Sequence, residues 1–196
     1  MQSSEYEGQP ESPYPNESRT EPAKPSRWVK EIKEWTLSLG VAIIAALLIH
    51  NFAIAQTEVE MNSMENTLYE GERLIEDKIT YRFSTPDRGD IVIINGPEYE
   101  NRLVKRLIGL PGDVIDMREG YVYLNDEQLN ESYAKGLTYA NGLGMPYTIP
   151  EDHYFVLGDN REISLDSRQL GAIHEDSIEG RIIYRIWPFE QFGKVD

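Results

Sequence analysis

From Leu37 to Ala55 the chain reads LSLGVAIIAALLIHNFAIA, its longest apolar run, with no Asp, Glu, Lys or Arg in nineteen positions. At a rise of ~1.5 Å per residue, a helix of this length spans roughly the ~30 Å hydrocarbon core of a bilayer. A buried helix of a soluble core would carry polar residues along one face. Here His50 and Asn51 come near the end of the run, where interfacial water can solvate them. The pattern predicts one transmembrane helix. After it, the texture changes to short β-branched and aromatic runs punctuated by Gly, Pro, Asn and Asp. RGDIVIING, Arg88 to Gly96, predicts a strand closed by an Asn-Gly turn, and GYVYLNDEQL predicts a strand entering a tight hairpin at Asn125 and Asp126. HYFVLGDN and EGRIIYRIWPF add two more strands, the second alternating Ile182, Tyr184, Ile186 against Ile183, Arg185, Trp187. No useful helical period follows residue 60, and AKGLTYANGLGMP, Ala134 to Pro146, predicts a long loop. The fold class expected is mainly β, with one N-terminal transmembrane helix.

Composition and charge divide the chain further. Residues 1–27 hold five prolines, five glutamates and almost no aliphatic side chains, too little apolar surface to offset the entropy of folding. They are expected to form a disordered, acidic, Pro-rich tail, followed by a juxtamembrane segment and transmembrane helix over 28–56 and a β-rich domain over 57–196. Lys24, Arg27, Lys30 and Lys33 precede the apolar run, and the next basic residue after it is Arg73. The positive-inside rule then puts the tail in the cytoplasm and the large domain outside, as a single-pass protein of the plasma membrane with the lipid bilayer as a partner. AIAQ, Ala53 to Gln56, has the small-x-small spacing of a signal-peptide cleavage site. The basic region begins far from Met1, however, and the run exceeds the usual ~7–15-residue signal core, so a retained anchor is expected.

The net charge is −15, and residues 57–196 carry twenty-seven acids and fourteen bases, near −13. Such a surface repels phosphate backbones, and no nucleic-acid partner is expected. With no cysteine, thiol nucleophiles and Cys-based metal sites are excluded. His50, His153 and His174 show no spacing that suggests a triad or a metal site, and neither metal nor cofactor is expected.

Two residues then become candidates together. In NRLVKRLIGLPGD, Asn101 to Asp113, a strand leads into a Leu-Pro-Gly turn of type II. Period-2 geometry puts Lys105 on one face with Leu103 and Leu107, and Val104, Arg106 and Ile108 on the other. Burial between leucines penalises the ammonium form, and a lysine brought from about 10.4 to roughly 7 or 8 can act as a general base. A lysine on an exposed edge strand would give the same pattern. Ser63, in EMNSMENTL, is a weak nucleophile until a base takes its proton, and lysine is the economical base in this chain. A third segment, GDNREISLDSR from Gly158 to Arg168, packs three acids, two arginines and two serines against the end of a strand. It reads either as a buried polar network or as a solvated turn.

SMENTL, RGDIV, KRLIGLPGD and GDNREISLDSR, in this order and approximate spacing, resemble the type I signal peptidases, or leader peptidases, in their single-anchor bacterial form; the likeness covers roughly Trp28 to Phe189. The resemblance implies a β-rich domain resting against the outer membrane surface and a membrane-bound serine endopeptidase. It would remove signal peptides from exported preproteins by a Ser/Lys dyad, cutting after small residues, with the protein-export machinery as a further partner. It implies Ser63 as nucleophile and Lys105 as general base. Ser164 would hydrogen-bond and orient Lys105, Asp166 and Arg168 would form a supporting ion pair, and Asp159 would help hold that network. The backbone N–H of Ser63 would serve the oxyanion hole.

The chain departs from the family pattern at two positions. Asn66 stands where the family has proline, loosening a φ constraint, and Met61, which cannot donate a hydrogen bond, stands where Gly or Ser is common. These two substitutions leave one alternative, a catalytically weak or inactive relative that binds preproteins or a membrane partner. SYAK, Ser132 to Lys135, matches the Ser-x-x-Lys motif of penicillin-binding enzymes but lacks that motif's Ser-Asp-Asn and Lys-Thr-Gly companions. Self-cleaving repressors use similar chemistry but carry a DNA-binding segment where this chain has an apolar run.

Overall fold

The computed structural model describes residues 27–52, 54–97 and 99–195. The chain divides into two compact units, residues 1–42 and 43–196. Apart from Arg27, the tail expected over 1–27 lies outside the described residues. Helix α1, Arg27–Phe52, takes up the basic juxtamembrane segment and most of the apolar run. Part of the predicted span Leu37–Ala55 lies outside the described residues, at 53 and in the side chains of 48–52. Among the described residues, no helix is long and apolar enough to cross a membrane. The run is also not helical throughout: Ile54 and Ala55 open strand β1, Ile54–Glu58, which pairs antiparallel with β2, Arg73–Asp77. The ladder satisfies their backbone groups in place of helical bonds.

From residue 54 onward the second unit is mainly β, as the alternation and turn signals lead one to expect. Its larger sheet adds β3 (Ile91–Ile94), β4 (Leu103–Gly109), β9 (His153–Leu157), β10 (Ile173–His174) and β11 (Ile178–Trp187) to β1 and β2. Their order is β1-β2-β11-β3-β4-β9-β10, with β12 (Gly193–Lys194) also paired to β11. The smaller sheet, in the order β7-β6-β5-β8, is built from β5 (Val114–Arg118), β6 (Tyr121–Leu124), β7 (Glu127–Gln128) and β8 (Tyr147–Thr148).

Turn chemistry sets the connections. Asn125 and Asp126 both take positive φ, 50° and 71°, and join β6 to β7 in the two-residue hairpin their sequence predicts. Gly112, at φ +83°, follows Pro111 in the turn Leu110–Asp113, closed by the Asp113 amide on Leu110 O. Asn95-Gly96 does not form a tight hairpin, because β4 begins only at Leu103. In β11 the predicted alternation is interrupted by register shifts between Ile182 and Tyr184 and between Arg185 and Trp187, so Ile182 is buried while Tyr184 and Trp187 are exposed.

β3 and β4 are buried on both faces, so the apolar run of β3 does not alternate. Val92, Ile94, Leu103, Leu107 and Val156 fill one cluster, and Val59, Met64, Leu68, Leu74 and Ile93 fill another. Lys105 shares the face of β4 that carries Leu103 and Leu107 of the first cluster, opposite Val92 in the register of β3 and β4. β4 is flanked by β3 and β9, which removes the edge-strand reading of its lysine.

Candidate active site

Ser63 lies in a single 3₁₀ turn, Asn62–Met64, directly after the extended segment that continues β1. The next residue, Met64, is buried in the core, and its carbonyl accepts from the amides of Thr67 and Leu68. One apolar anchor therefore fixes the turn while the serine stays at its surface, 9% exposed. From the opposite side comes the end of β9. The Asn160 amide donates to Ser63 O at 3.0 Å, and a Cβ on Gly158 would lie 2.5 Å from that same oxygen and 2.2 Å from Ser164 Oγ. Only glycine lets this strand end approach the nucleophile's backbone so closely.

Lys105 is 1% exposed and donates from Nζ to Ser63 Oγ at 2.7 Å and to Val104 O at 2.9 Å. Burial disfavours its ammonium form and lowers its pKa to about 8, against smaller opposing attraction from Asp166 and Asp159. Near neutrality a useful fraction of this lysine is therefore the free amine, in contact with an alcohol. That is the arrangement of an activated nucleophile.

GDNREISLDSR folds as a buried polar network. Asp166 accepts from Arg168 Nε at 2.8 Å and Nη2 at 2.9 Å, and also from the Gly158 amide at 3.1 Å. It caps the short helix α2, Ser167–Leu170, with Gln169 returning the bond to complete a capping box. Asp159 does not join this pair. It faces the other way, accepting from Arg106 Nε at 2.9 Å and Nη2 at 2.8 Å and from Thr67 Oγ1 at 2.5 Å. Arg106 lies on the face of β4 opposite Lys105 and stacks 4.0 Å above the Tyr133 ring. Asp159 thus ties β4 to the residues just after the nucleophile.

The expected hydrogen bond from Ser164 to Lys105 is absent. Ser164 Oγ is buried without a partner among the described residues, because the ammonium directs its bonds to Ser63 and Val104. Arg106 was not legible as a member of the site, and neither was Arg161. Arg161 is buried against Glu131, at 2.7 and 3.0 Å, with further bonds to Gly158 O and Thr138 Oγ1. Their partners lie on distant segments, and only the placement of Arg106 opposite Lys105 gave a hint.

The loop after β7 reaches back to the nucleophile. Lys135 Nζ donates to Glu65 at 2.9 Å, an exposed pair that raises the lysine's pKa, and Asn160 Nδ2 meets the same carboxylate at 3.1 Å. Held protonated on Glu65, Lys135 is no base for Ser132, which removes the Ser-x-x-Lys reading.

Asn66 does more than loosen the chain. It holds φ at +102° and donates from Nδ2 to Tyr133 O at 3.1 Å. Proline, fixed near −65°, cannot adopt this conformation. Restoring the family residue with Asn66→Pro should lower kcat/KM by roughly 100-fold, since even ~1 Å of misplacement near a reacting atom carries a cost of that size. Asn66→Gly, free at positive φ, should stay within about tenfold of wild type. Equal activity of wild type and Asn66→Pro would refute the left-handed turn.

Two cavities flank Ser63. One, of about 630 Å³, runs along Gln56–Met61 and is walled by Ile93, Val104, Glu100 and Arg102. The other, of about 490 Å³, holds Lys105 and is walled by Leu103, Ile163, Leu165 and Leu170. They share a rim that includes Glu60, Met61, Ser63 and Tyr99. An extended peptide laid across this rim would present its carbonyl to Ser63.

Known proteins resemble this chain over most of its length. Residues 32–187 match the family described as signal peptidase, peptidase S26. Signal peptidase I P of Bacillus subtilis subsp. natto is 39% identical over 173 residues, covering 83% of this chain and 92% of the relative. Signal peptidase IB of Staphylococcus aureus strain COL is 33% identical over 181 residues, covering 83% and 93%. A crystal structure of a signal peptidase I from Enterococcus faecalis V583 is 36% identical, with a TM-score of 0.44, covering 50% of this chain and 97% of that one.

Proposed function

The chain belongs to the signal peptidase family, peptidase S26, as a serine endopeptidase that removes signal peptides, and from that premise we propose that Ser63 and Lys105 carry the hydrolysis. The observation that supports this most strongly is the 2.7 Å contact between a desolvated amine and a hydroxyl at the shared rim of two cavities. As the neutral amine of Lys105 takes the proton from Ser63 Oγ, the oxygen attacks the scissile carbonyl and forms a C–O bond. The tetrahedral oxyanion is met by the backbone N–H of Ser63, since Met61 brings no side-chain donor. Collapse breaks the C–N bond, and the Lys105 ammonium passes its proton to the departing amine. Water, deprotonated by the regenerated amine, then attacks the ester; the C–O bond to Ser63 breaks and the serine takes back its proton.

Asp166 with Arg168, and Asp159 with Arg106, hold this geometry as positioning pairs. Each is a buried, bidentate ion pair close to the dyad. Ser164 belongs to the same wall, its hydroxyl free to turn toward the ammonium once Ser63 is acylated.

Substrates are exported preproteins cut after small residues. The apolar part of α1 from Leu37 anchors the chain in the bilayer with the N-terminus cytoplasmic and the domain that opens with β1 outside, a reading supported by the charge asymmetry around the run and by exposed Leu37, Leu39, Val41, Ile43 and Ile44 on α1.

A base with its pKa lowered to about 8 predicts a kcat/KM that rises with pH through about 8, because only the unprotonated amine can accept the serine proton. Initial rates on a preprotein in detergent, from pH 5 to 10, with the product's N-terminus sequenced, check both pH dependence and cleavage site. A profile flat above pH 5 would point to a carboxylate base and overturn the assignment.

A further inference from the structure

Residues 161–168 invert the usual relation between polarity and burial. Arg161, Ser164, Asp166 and Arg168 are buried, while Ile163 and Leu165, interleaved with them, are 61% and 50% exposed. The polar side chains face inward because the networks around Asp166 and Arg161 require them there. The chain turns at 161–163 and enters α2 at Ser167, and with these neighbours held inward Ile163 and Leu165 are left facing outward. That geometry forces side chains outward but does not require them to be aliphatic, and a serine or lysine would be better solvated. Leu170, 37% exposed at the end of α2, lines the same cavity as Ile163 and Leu165.

The cavity's chemistry identifies what covers this apolar shelf. Lys105 lines the arm that holds Ile163, Leu165 and Leu170, and does not line the arm along Gln56–Met61. When the scissile C–N bond breaks, the departing nitrogen must receive its proton from Lys105 Nζ, so that nitrogen and the chain attached to it lie in the Lys105 arm. The acyl half, bonded to Ser63 Oγ on the shared rim, extends into the other arm, whose wall alone carries Glu58 and Arg102, while Glu60 and Glu100 border both. We propose that Ile163, Leu165 and Leu170 form a subsite for an apolar side chain in the first residues after the cleavage point, making this enzyme selective for the start of the mature protein as well as for the signal peptide. The proposal rests on the Ser63 and Lys105 reading of the site.

The test uses the full chain in detergent micelles and soluble peptides identical on the acyl side, with Leu, Ser or Asp directly after the scissile bond. Wild type should favour Leu over Asp by roughly 10-fold in kcat/KM, the low end for a hydrophobic pocket because the shelf is half open. Ile163→Ser with Leu165→Ser should bring the Leu-to-Asp ratio toward one, and Leu165→Lys should reverse it. Phe83→Ser, which removes an 86% exposed aromatic outside this cavity, should leave the ratio unchanged. Thermal melts establish that each variant folds, and the wild-type ratio alone decides the matter if the double variant does not. A wild-type ratio near one, or a ratio unchanged in Leu165→Lys, overturns the subsite. If the variants instead keep the peptide ratio but lose binding to vesicles of anionic phospholipid, the shelf meets the bilayer and the proposal is wrong. Cleavage that persists in Ser63→Ala would fell the dyad reading itself, a result separate from any change in the ratio.

Discussion

Lys105→Ala lowers kcat/KM on a preprotein by on the order of 10⁴-fold or more, and Ser63→Ala does the same, with the double variant little worse than either. The near-equality stems from the contact between the two groups: a serine without its base and a base without its serine leave the same incomplete machine. The more discriminating replacement is Lys105→Arg. Arginine keeps a positive charge and can reach the hydroxyl, but its guanidinium is never neutral in a protein and so cannot accept the proton. It should be as inactive as alanine. Melting curves of all four variants distinguish lost chemistry from lost folding. Substantial turnover by Lys105→Arg would show that the 105 side chain acts as an electrostatic partner rather than as a base.

Asp159→Asn destabilises the domain by roughly 3–5 kcal/mol, a fall on the order of 10 °C in Tm, because it takes the balancing negative charge away from the buried guanidinium of Arg106. Arg106 is 2% exposed, and Asp159 holds it through both carboxylate oxygens. Thr67 Oγ1 bonds to the same carboxylate, so the loss reaches the turn that carries Ser63. The variant also has a signature in pH. Asp159 is one of two carboxylates that favour the Lys105 ammonium, and its removal, with the Arg106 charge no longer balanced by it, disfavours that ammonium further. The alkaline rise in kcat/KM should shift below about 8. An unchanged Tm would mean that Arg106 finds other compensation, and a shift to higher pH would contradict the electrostatics.

The features legible in the sequence were those that depend on short-range rules. The Asn125-Asp126 hairpin and the Leu110–Asp113 turn come from backbone preference alone, and the period-2 pattern of NRLVKRLIG correctly separates Lys105 from Arg106. The features the sequence hid depend on pairing between distant segments. The Asp166–Arg168 pair was expected only from the family resemblance and is present, but nothing in GDNREISLDSR tells that Asp159 turns toward Arg106, since other arginines are nearer in the sequence. Nor does a lone Asn66 reveal its positive φ, which is set by the Tyr133 carbonyl sixty-seven residues away. The Asn95-Gly96 signal predicted a turn closing β3, but the strands on either side of it are joined by a longer connection. Local turn chemistry was overruled there by the register of β3 and β4.

The most direct measurement is the titration of Lys105 itself, by NMR of lysine labelled at Cε and Nζ, with the signal assigned by its disappearance in Lys105→Arg. The structure predicts that Lys105 titrates with a midpoint of about 8, below the ordinary lysine value of about 10.4, and that this midpoint shifts when Ser63 is replaced by alanine. A Lys105 resonance that titrates near that ordinary value, and ignores the identity of residue 63, would contradict the dyad.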